Sequence, residues 1–356
     1  MRRDILEIDT GPDGEGWLKN ISLLDVESIR ILLSGESVVD WQRLAFANLD
    51  EVDQFLRLHQ CDPDTRFGRE RLRYVFNESV SYLEEHLRLR FPTELRDPDD
   101  VRQVFLWASQ FAGFRRKQIL SCVILKLVHV IHHMEAADLK FKTKTSEEQL
   151  LASAHSRILQ SAREMQDAGL PIVSFYGSRK ARSSVITKLL AKKDSVAATI
   201  FDKLRFRIIV RDPGDLAGML AWMCRNVFPF NYCIPGQSHN NLLDPDALNA
   251  YLDDIDLGRA QRTEDTTIEE SGKNEFSGSS YRMINFIMDY PVPVAPADGL
   301  AGFELGNVVF VMVEFQILDE QTAILNEKGD NAHHMYKDRQ HDVVARRLKR
   351  GKRIKH

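Results

Sequence analysis

Three groups of residues in this sequence are of types and spacings that can do chemistry. In Ser178-Arg179-Lys180-Ala181-Arg182-Ser183-Ser184-Val185-Ile186-Thr187-Lys188, the residues Lys180, Ser184 and Lys188 stand four apart at the mouth of an expected helix. Ammonium groups and free backbone N–H groups act there on one anion, which suits a polyphosphate. The glycines of a Walker A loop are missing, and a solvated basic helix face has the same spacing. The second group is Asp202, just ahead of a strand that holds Arg207, with Glu314 and Gln316 alternating along Val313-Glu314-Phe315-Gln316-Ile317. Two carboxylates on neighbouring strands can share a magnesium ion, which takes few protein oxygens and completes its shell with water and phosphate. Metal-assisted phosphoryl transfer rests on such a pair, and a charged sheet edge is the ordinary alternative. The third group is His129, His132 and His133. Histidines at i and i+4 can ligate zinc, although packing is their commoner use.

The elements that must position these residues change character midway along the chain. From Val38 to about Gly169 glycines are few and apolar residues return every three or four positions, so an all-α region is expected. Ser37 reads as an N-cap, Leu72, Val75, Phe76, Val80 and Leu83 as the inner stripe of a helix ending near Phe91-Pro92, and Asp97-Pro98 as the opening of the next. Ile119, Leu120, Val123, Ile124, Leu127, Val130 and Ile131 trace the wide apolar face of a central bundle helix. A charged helix from Ser146 to Asp167 stops at Ala168-Gly169-Leu170-Pro171.

After Pro171 the order reads as α/β. Ile172 to Tyr176 is a short strand, Gly177-Ser178 turns into a helix around Ser183 to Lys192, and Leu204 to Val210 alternates as a half-buried strand does. A helix from Asp212-Pro213 to about Val227, strands over Tyr281 to Tyr290 and Val308 to Ile317, and a mostly helical stretch from Glu327 to Lys349 complete it. Between them Asp244 to Glu275 is rich in Asp and Glu, and its second half reads as a mobile surface loop that could gate the site.

Composition excludes little beyond extremes. The 356 residues carry 48 Lys and Arg against 52 Asp and Glu, so no whole-molecule polyanion or polycation partner is implied. With 43% apolar and 28% charged residues the chain is globular rather than disordered or fibrous. The run Gln118 to Met134 is interrupted by Lys126 and three histidines, so no membrane span is expected. Met1-Arg2-Arg3-Asp4 opens no apolar leader, and Cys61, Cys122, Cys224 and Cys233 form no C-x-x-C pair. Reduced thiols in a cytoplasm are expected. The basic run Arg346, Arg347, Lys349, Arg350, Lys352, Arg353 and Lys355 is a solvated tail or an RNA contact.

Four segments, in order, resemble the motifs of the RelA/SpoT-type alarmone synthetases. The pattern R-x-K-x-x-x-S-[IV]-x-x-K meets Lys180, Ser184, Val185 and Lys188, with Ser178 in place of the first arginine and Arg179 or Arg182 as its substitutes. D-x-x-x-x-R-I-[IV] meets Asp202, Arg207, Ile208 and Ile209. G-Y-R-S-[LI]-H is altered to Ser280-Tyr281-Arg282-Met283-Ile284-Asn285, and [VI]-E-[VF]-Q-[IL]-R is kept from Val313 to Ile317 with Leu318 for the arginine. His334, Tyr336 and Lys337 resemble the terminal H-x-Y-K of the family.

The resemblance implies an α/β (α+β) nucleotidyltransferase-like fold, a mixed sheet flanked by helices, preceded by an all-α domain. The division expected is 1–168 helical, 169–345 synthetase-like with the acidic insertion at about 244–276, and 346–356 a basic tail. It implies an enzyme that moves pyrophosphate from ATP to the 3′-hydroxyl of GDP or GTP. Lys180, Lys188 and Ser184 would hold the donor's phosphates, and Asp202 and Glu314 would bind Mg2+, Glu314 also helping to deprotonate the attacking hydroxyl. Arg207, with Arg179 or Arg182, would stack on adenine. Tyr281 would stack on the acceptor base with Arg282 and Asn285 beside it, and Gln316 would support the site by hydrogen bonding. The alarmone hydrolase of bifunctional relatives uses an adjacent His-Asp pair, which the helical region lacks. Transfer to the 3′ end of tRNA and a catalytically silent nucleotide-binding module are the alternatives.

Overall fold

The computed structural model describes residues 4–7, 21–35, 44–109, 115–180, 182–191, 203–244, 248, 281–295, 304–327, 343–346 and 348. Asp202, most of the acidic insertion, and the His334, Tyr336 and Lys337 segment lie outside them, as does the expected cap at Ser37.

The sequence's helical half folds as α1 (Leu23–Ser34), α2 (Leu49–Leu58), α3 (Arg66–Glu85), α4 (Thr93–Arg96), α5 (Arg102–Ser109), α6 (Arg115–Lys142) and α7 (Glu147–Asp167). Their ends follow local chemistry. Ser22 and Ser146 each close a reciprocal capping box, with Asp25 and Gln149, and α1 stops at Gly35, whose φ of 64° only glycine adopts without strain. Helix α1 starts well before the expected Val38. It carries Asp25, which is buried and paired with Arg225, two hundred positions away.

Gly68 has a packing reason of its own. A Cβ there would lie 1.9 Å from the backbone oxygen of Asp62. Gly68→Ala is therefore expected to cost about 2–3 kcal/mol, because backbone rather than a yielding side chain blocks the methyl group. Urea denaturation measures this, and an unchanged midpoint would show that the loop before α3 yields.

The second half, joined at one edge by β1 from the start of the chain, forms a six-stranded mixed sheet in the order β1-β2-β3-β6-β5-β4. The strands are β1 (Asp4–Glu7), β2 (Ile172–Arg179), β3 (Leu204–Val210), β4 (His239–Asn240), β5 (Ile284–Pro293) and β6 (Val308–Asp319), with β3 and β6 parallel and every other pair antiparallel. Helices α8 (Arg182–Ala191), α9 (Asp215–Asn226) and α10 (Glu320–Asn326) lie between or after them. The mixed sheet flanked by helices is thus present. One local correction concerns β2, which runs on through Gly177 and Ser178 to Arg179 instead of turning there. Gly177 fits because any Cβ would meet Phe206 and His155 within 2.8 Å.

One sheet face is aromatic. Phe175, Phe206, Phe315 and Phe286 follow one another across β2, β3, β6 and β5 at centroid spacings of 5.7, 5.9 and 5.6 Å, and Phe228 after α9 closes on Phe315 at 5.0 Å. Each fully buried ring is worth roughly 1.5–3 kcal/mol of transfer free energy. His155 of α7 stacks on Phe206, placing that helix over this face. Because strand side chains alternate, residues between the phenylalanines face the other way.

The apolar side chains gather in two clusters. One joins the sheet to α1, α7, α9 and the end of α6, and the other lies among α2, α3, α5 and the first half of α6. Helix α6 serves both, burying Cys122, Ile124 and Leu125 in one and Ala136 and Leu139 in the other, while Ile119, expected inward, is 52% exposed. By length and composition α6 is apolar enough to cross a membrane, as the core helices of many soluble proteins are. Two of its polar groups are tied to the protein: His133 bonds Asp289 of β5 and Glu135 pairs with Arg71 of α3.

Candidate active site

The non-aromatic face of the sheet collects residues from distant parts of the chain. Register sets Tyr176 beside Arg207, Arg207 beside Gln316, and Gln316 beside Asn285, with His239 beyond. One step along, Ser178, Arg205, Glu314 and Ile287 form a second row. The alternation legible in Leu204 to Val210 and Val313 to Ile317 therefore does what it suggested, burying the apolar members and aligning the polar ones.

Hydrogen bonds join these side chains. Arg207 donates from Nε and Nη2 to Gln316 Oε1 at 3.1 and 2.9 Å, and from Nη2 to the Tyr281 hydroxyl at 2.9 Å. Its guanidinium lies 6.0 Å from the centroid of Tyr176. Burial alone would disfavour this cation. The hydroxyls of Tyr281 and Tyr176 outweigh it, so the group is held more firmly protonated than an ordinary arginine. Gln316 Nε2 in turn donates to Glu314 Oε1 at 3.0 Å. One chain thus links Tyr281, Arg207, Gln316 and Glu314.

The remaining candidates fall in different places. Asn285 sits at the end of the first row, and its Oδ1 is buried with no hydrogen-bond partner among the described residues. Arg282 is exposed and holds its neighbourhood together: its guanidinium donates twice to Asn241 O, and its backbone exchanges hydrogen bonds with Asn326 of α10. Lys180 follows β2 directly, its N–H bonded to Lys203 O, and Ser184 is half-buried in the first turn of α8. Lys188 and Arg182 belong to α8, with side chains outside the described set. Arg179 pairs in register with Leu204, on the face opposite Arg207, and turns to α7, where it bonds Glu148 O. It does not join Arg207 in one clamp, because an odd spacing along β3 separates Leu204 from Arg207.

Arg205 was not singled out from the sequence. Its Nε donates to Glu314 Oε2 at 2.7 Å, so a guanidinium rests on the carboxylate expected to hold magnesium. The period-2 pattern that picked Arg207 also contained Arg205, and only the register with β6 shows its partner. For magnesium, the hard oxygens of Glu314 are suitable donors, and its Oε1 is already oriented by Gln316. An incoming ion would have to displace Arg205 from Oε2.

No family model matches the sequence, and no curated protein matches it. Among solved structures, small alarmone synthetase 1 from Bacillus subtilis is 14% identical with a TM-score of 0.30, the match covering 56% of this chain and 87% of that one. The same synthetase bound to its product pppGpp is 15% identical with a TM-score of 0.30, over 56% and 88%. A GTP pyrophosphokinase family protein from Streptococcus pneumoniae is 12% identical with a TM-score of 0.31, over 56% and 83%. Two of these structures are of a small alarmone synthetase and the third is of a GTP pyrophosphokinase family protein. At these identities the likeness speaks for no residue's role.

The histidines go elsewhere. His59, His129 and His132 pack round Tyr232 at centroid distances of 5.0, 4.9 and 6.2 Å. The i, i+4 pair His129 and His133 packs on Tyr232 at 4.9 and 5.9 Å, and among the described residues no group of three or more His, Cys, Asp or Glu side chains is placed to hold a metal ion.

Proposed function

We propose that the protein transfers pyrophosphate from ATP to the 3′-hydroxyl of a guanosine nucleotide, GDP or GTP, in the cytoplasm, forming an alarmone of the (p)ppGpp type. The observation that supports this most is the chain Tyr281–Arg207–Gln316–Glu314, which unites three of the motif segments on one side of one sheet.

In the reaction the 3′-oxygen bonds to the β-phosphorus of ATP, the bond from that phosphorus to the α,β-bridging oxygen breaks, and AMP leaves with the electron pair. Glu314 accepts the hydroxyl proton and is aimed by Gln316. Arg207 presents a flat, permanently charged group for a base to stack on, with the hydroxyl of Tyr281 fixing its plane. Lys180 and Lys188, with Ser184, offset the donor's phosphate charge at the start of α8. The ring of Tyr281 and the open Oδ1 of Asn285 meet the acceptor base. Magnesium, held by Glu314 with Asp202, would neutralise charge on the phosphates and lower the pKa of the attacking hydroxyl.

Arg205 then competes with the metal. Arg205→Ala is expected to lower the magnesium concentration needed for half-maximal rate by roughly three- to tenfold, the worth of one charge-assisted hydrogen bond in a partly exposed pair. A magnesium titration of the rate measures it, and an unchanged requirement would show that the guanidinium does not hold the metal's place.

The activity itself is tested by incubating pure protein with γ-labelled ATP, magnesium and either GDP, GTP or tRNA, then separating the products. Label in a guanosine nucleotide supports the proposal. Label in tRNA moves the acceptor, and label in none leaves a nucleotide-binding module.

A further inference from the structure

A cavity of about 80 Å³ lies where α2, α3 and α6 meet the 3-10 turn Phe230–Tyr232. Its walls are largely apolar, with Phe55, Leu72, Val75, Phe105 and Leu125 among them. Its polar lining includes His132, Asn231 and Tyr232, at 7%, 8% and 3% exposure, beside His59, His129, Arg71 and Lys126. Each of the first three keeps a buried polar atom with no hydrogen-bond partner among the described residues, namely His132 Nε2, Asn231 Oδ1 and the Tyr232 hydroxyl. Folded proteins leave few such atoms dry, because each loses its hydration without compensation. Three around one cavity call for an occupant.

The lining also limits that occupant's charge. Burial in apolar surroundings lowers the pKa of His59 to about 4 and of His129 to about 3, and brings His132 well below the usual histidine value, so all three are neutral near pH 7. Arg71, the buried cation beside them, is committed to Glu135 at 2.5 Å and to Glu304 O at 2.9 Å. An ion entering here would find the histidines neutral and Arg71 already committed, while the other cation of the lining, Lys126, is partly exposed to water. Size sets the other limit, since the space is roughly half of the ~150 Å³ known to hold benzene, enough for about three to five non-hydrogen atoms.

We propose that this cavity is a binding site for a small, flat, uncharged organic molecule that both donates and accepts hydrogen bonds, of the azole or amide class. Asn231 Oδ1 takes its donor, and the Tyr232 hydroxyl and His132 Nε2 meet its acceptor. The site stands apart from the proposed transfer reaction and does not depend on it, yet it has a route to it. Tyr232 packs on Phe310 of β6 at 4.4 Å. Phe310 shares a sheet face with Glu314, four residues on and about 13 Å away along the strand.

Pyrazole, an uncharged ring with adjacent donor and acceptor nitrogens, is the probe. Saturation-transfer NMR with the full chain should show saturable binding, with a Kd between the micromolar and millimolar ranges as befits so few atoms. Tyr232→Phe, which removes one oxygen and no bulk, should weaken binding about tenfold without lowering the melting temperature of the unliganded protein. Asn231→Leu repeats the comparison should the first variant fold poorly. Cyclopentane, similar in size and without polar atoms, should bind more weakly than pyrazole. The proposal is overturned if pyrazole fails to saturate at tens of millimolar, which would assign the space to ordered water. Equal affinity in wild type and both variants, or cyclopentane binding as well as pyrazole, would also overturn it, since either marks a plain apolar void.

Discussion

Glu314→Gln is expected to reduce pyrophosphate transfer by about a thousandfold or more while leaving the fold intact, since the change removes both the proton acceptor and a metal-binding charge. The side chain is 6% exposed and both its oxygens are engaged, by Arg205 at 2.7 Å and Gln316 at 3.0 Å. Glutamine keeps the shape and one acceptor oxygen. Its amide cannot accept from both neighbours, but Arg205 is partly exposed and can turn to water, so the stability cost is about 1 kcal/mol or less. Steady-state rates paired with thermal melts separate the two effects. Residual transfer near the wild-type rate would remove Glu314 from the chemistry.

Acidification should unfold the protein through its buried histidines. The pKa values of His59 and His129 fall from about 6.5 to about 4 and about 3 because burial penalises the charged ring, and burial also brings His132 well below the usual histidine value. A histidine depressed in the folded state stabilises fully above its unfolded value, and that stability is lost as pH falls towards the folded value. By pH 5 His59 and His129 have each forfeited about 2 kcal/mol and His132 adds to the loss in the same direction, a large part of an ordinary domain's 5–15 kcal/mol. The loss begins near pH 6.5, above the range in which most carboxylates titrate. Urea midpoints at pH 7 and pH 5 should differ strongly in wild type and less in His132→Gln, which keeps a polar side chain but cannot charge. Equal pH dependence in the two proteins would mean that these rings are hydrated.

What the sequence made legible was periodic. Leu204 to Arg207 and Val313 to Ile317 alternate apolar with polar residues, so the pattern puts Arg205 and Arg207 on one face of their strand and Glu314 and Gln316 on one face of theirs, and the capping box at Ser146 with Gly169 beyond marks both ends of α7. Partnership across the chain was hidden. That Arg205 rests on Glu314 depends on the parallel register of β3 and β6, which no local pattern encodes. Asp25 inside α1 is buried and meets Arg225 of α9, a pairing two hundred positions apart that local sequence does not show. β1 is four residues of edge strand with too little length for a pattern to show, and β4 is shorter still. The three histidines carried an ambiguous signal, because i, i+4 spacing is shared by ligands and by packed rings. Their packing on Tyr232, which arrives from a turn a hundred residues later, is not encoded in that spacing.

Pyrophosphate transfer is tested most directly by mass spectrometry of the products formed from ATP and GDP with magnesium, by wild type and by Glu314→Gln in parallel. The proposed chemistry predicts a guanosine product carrying two added phosphates, AMP in equal amount, and neither from the variant. ADP and free phosphate in their place, or a guanosine product undiminished in the variant, would contradict it.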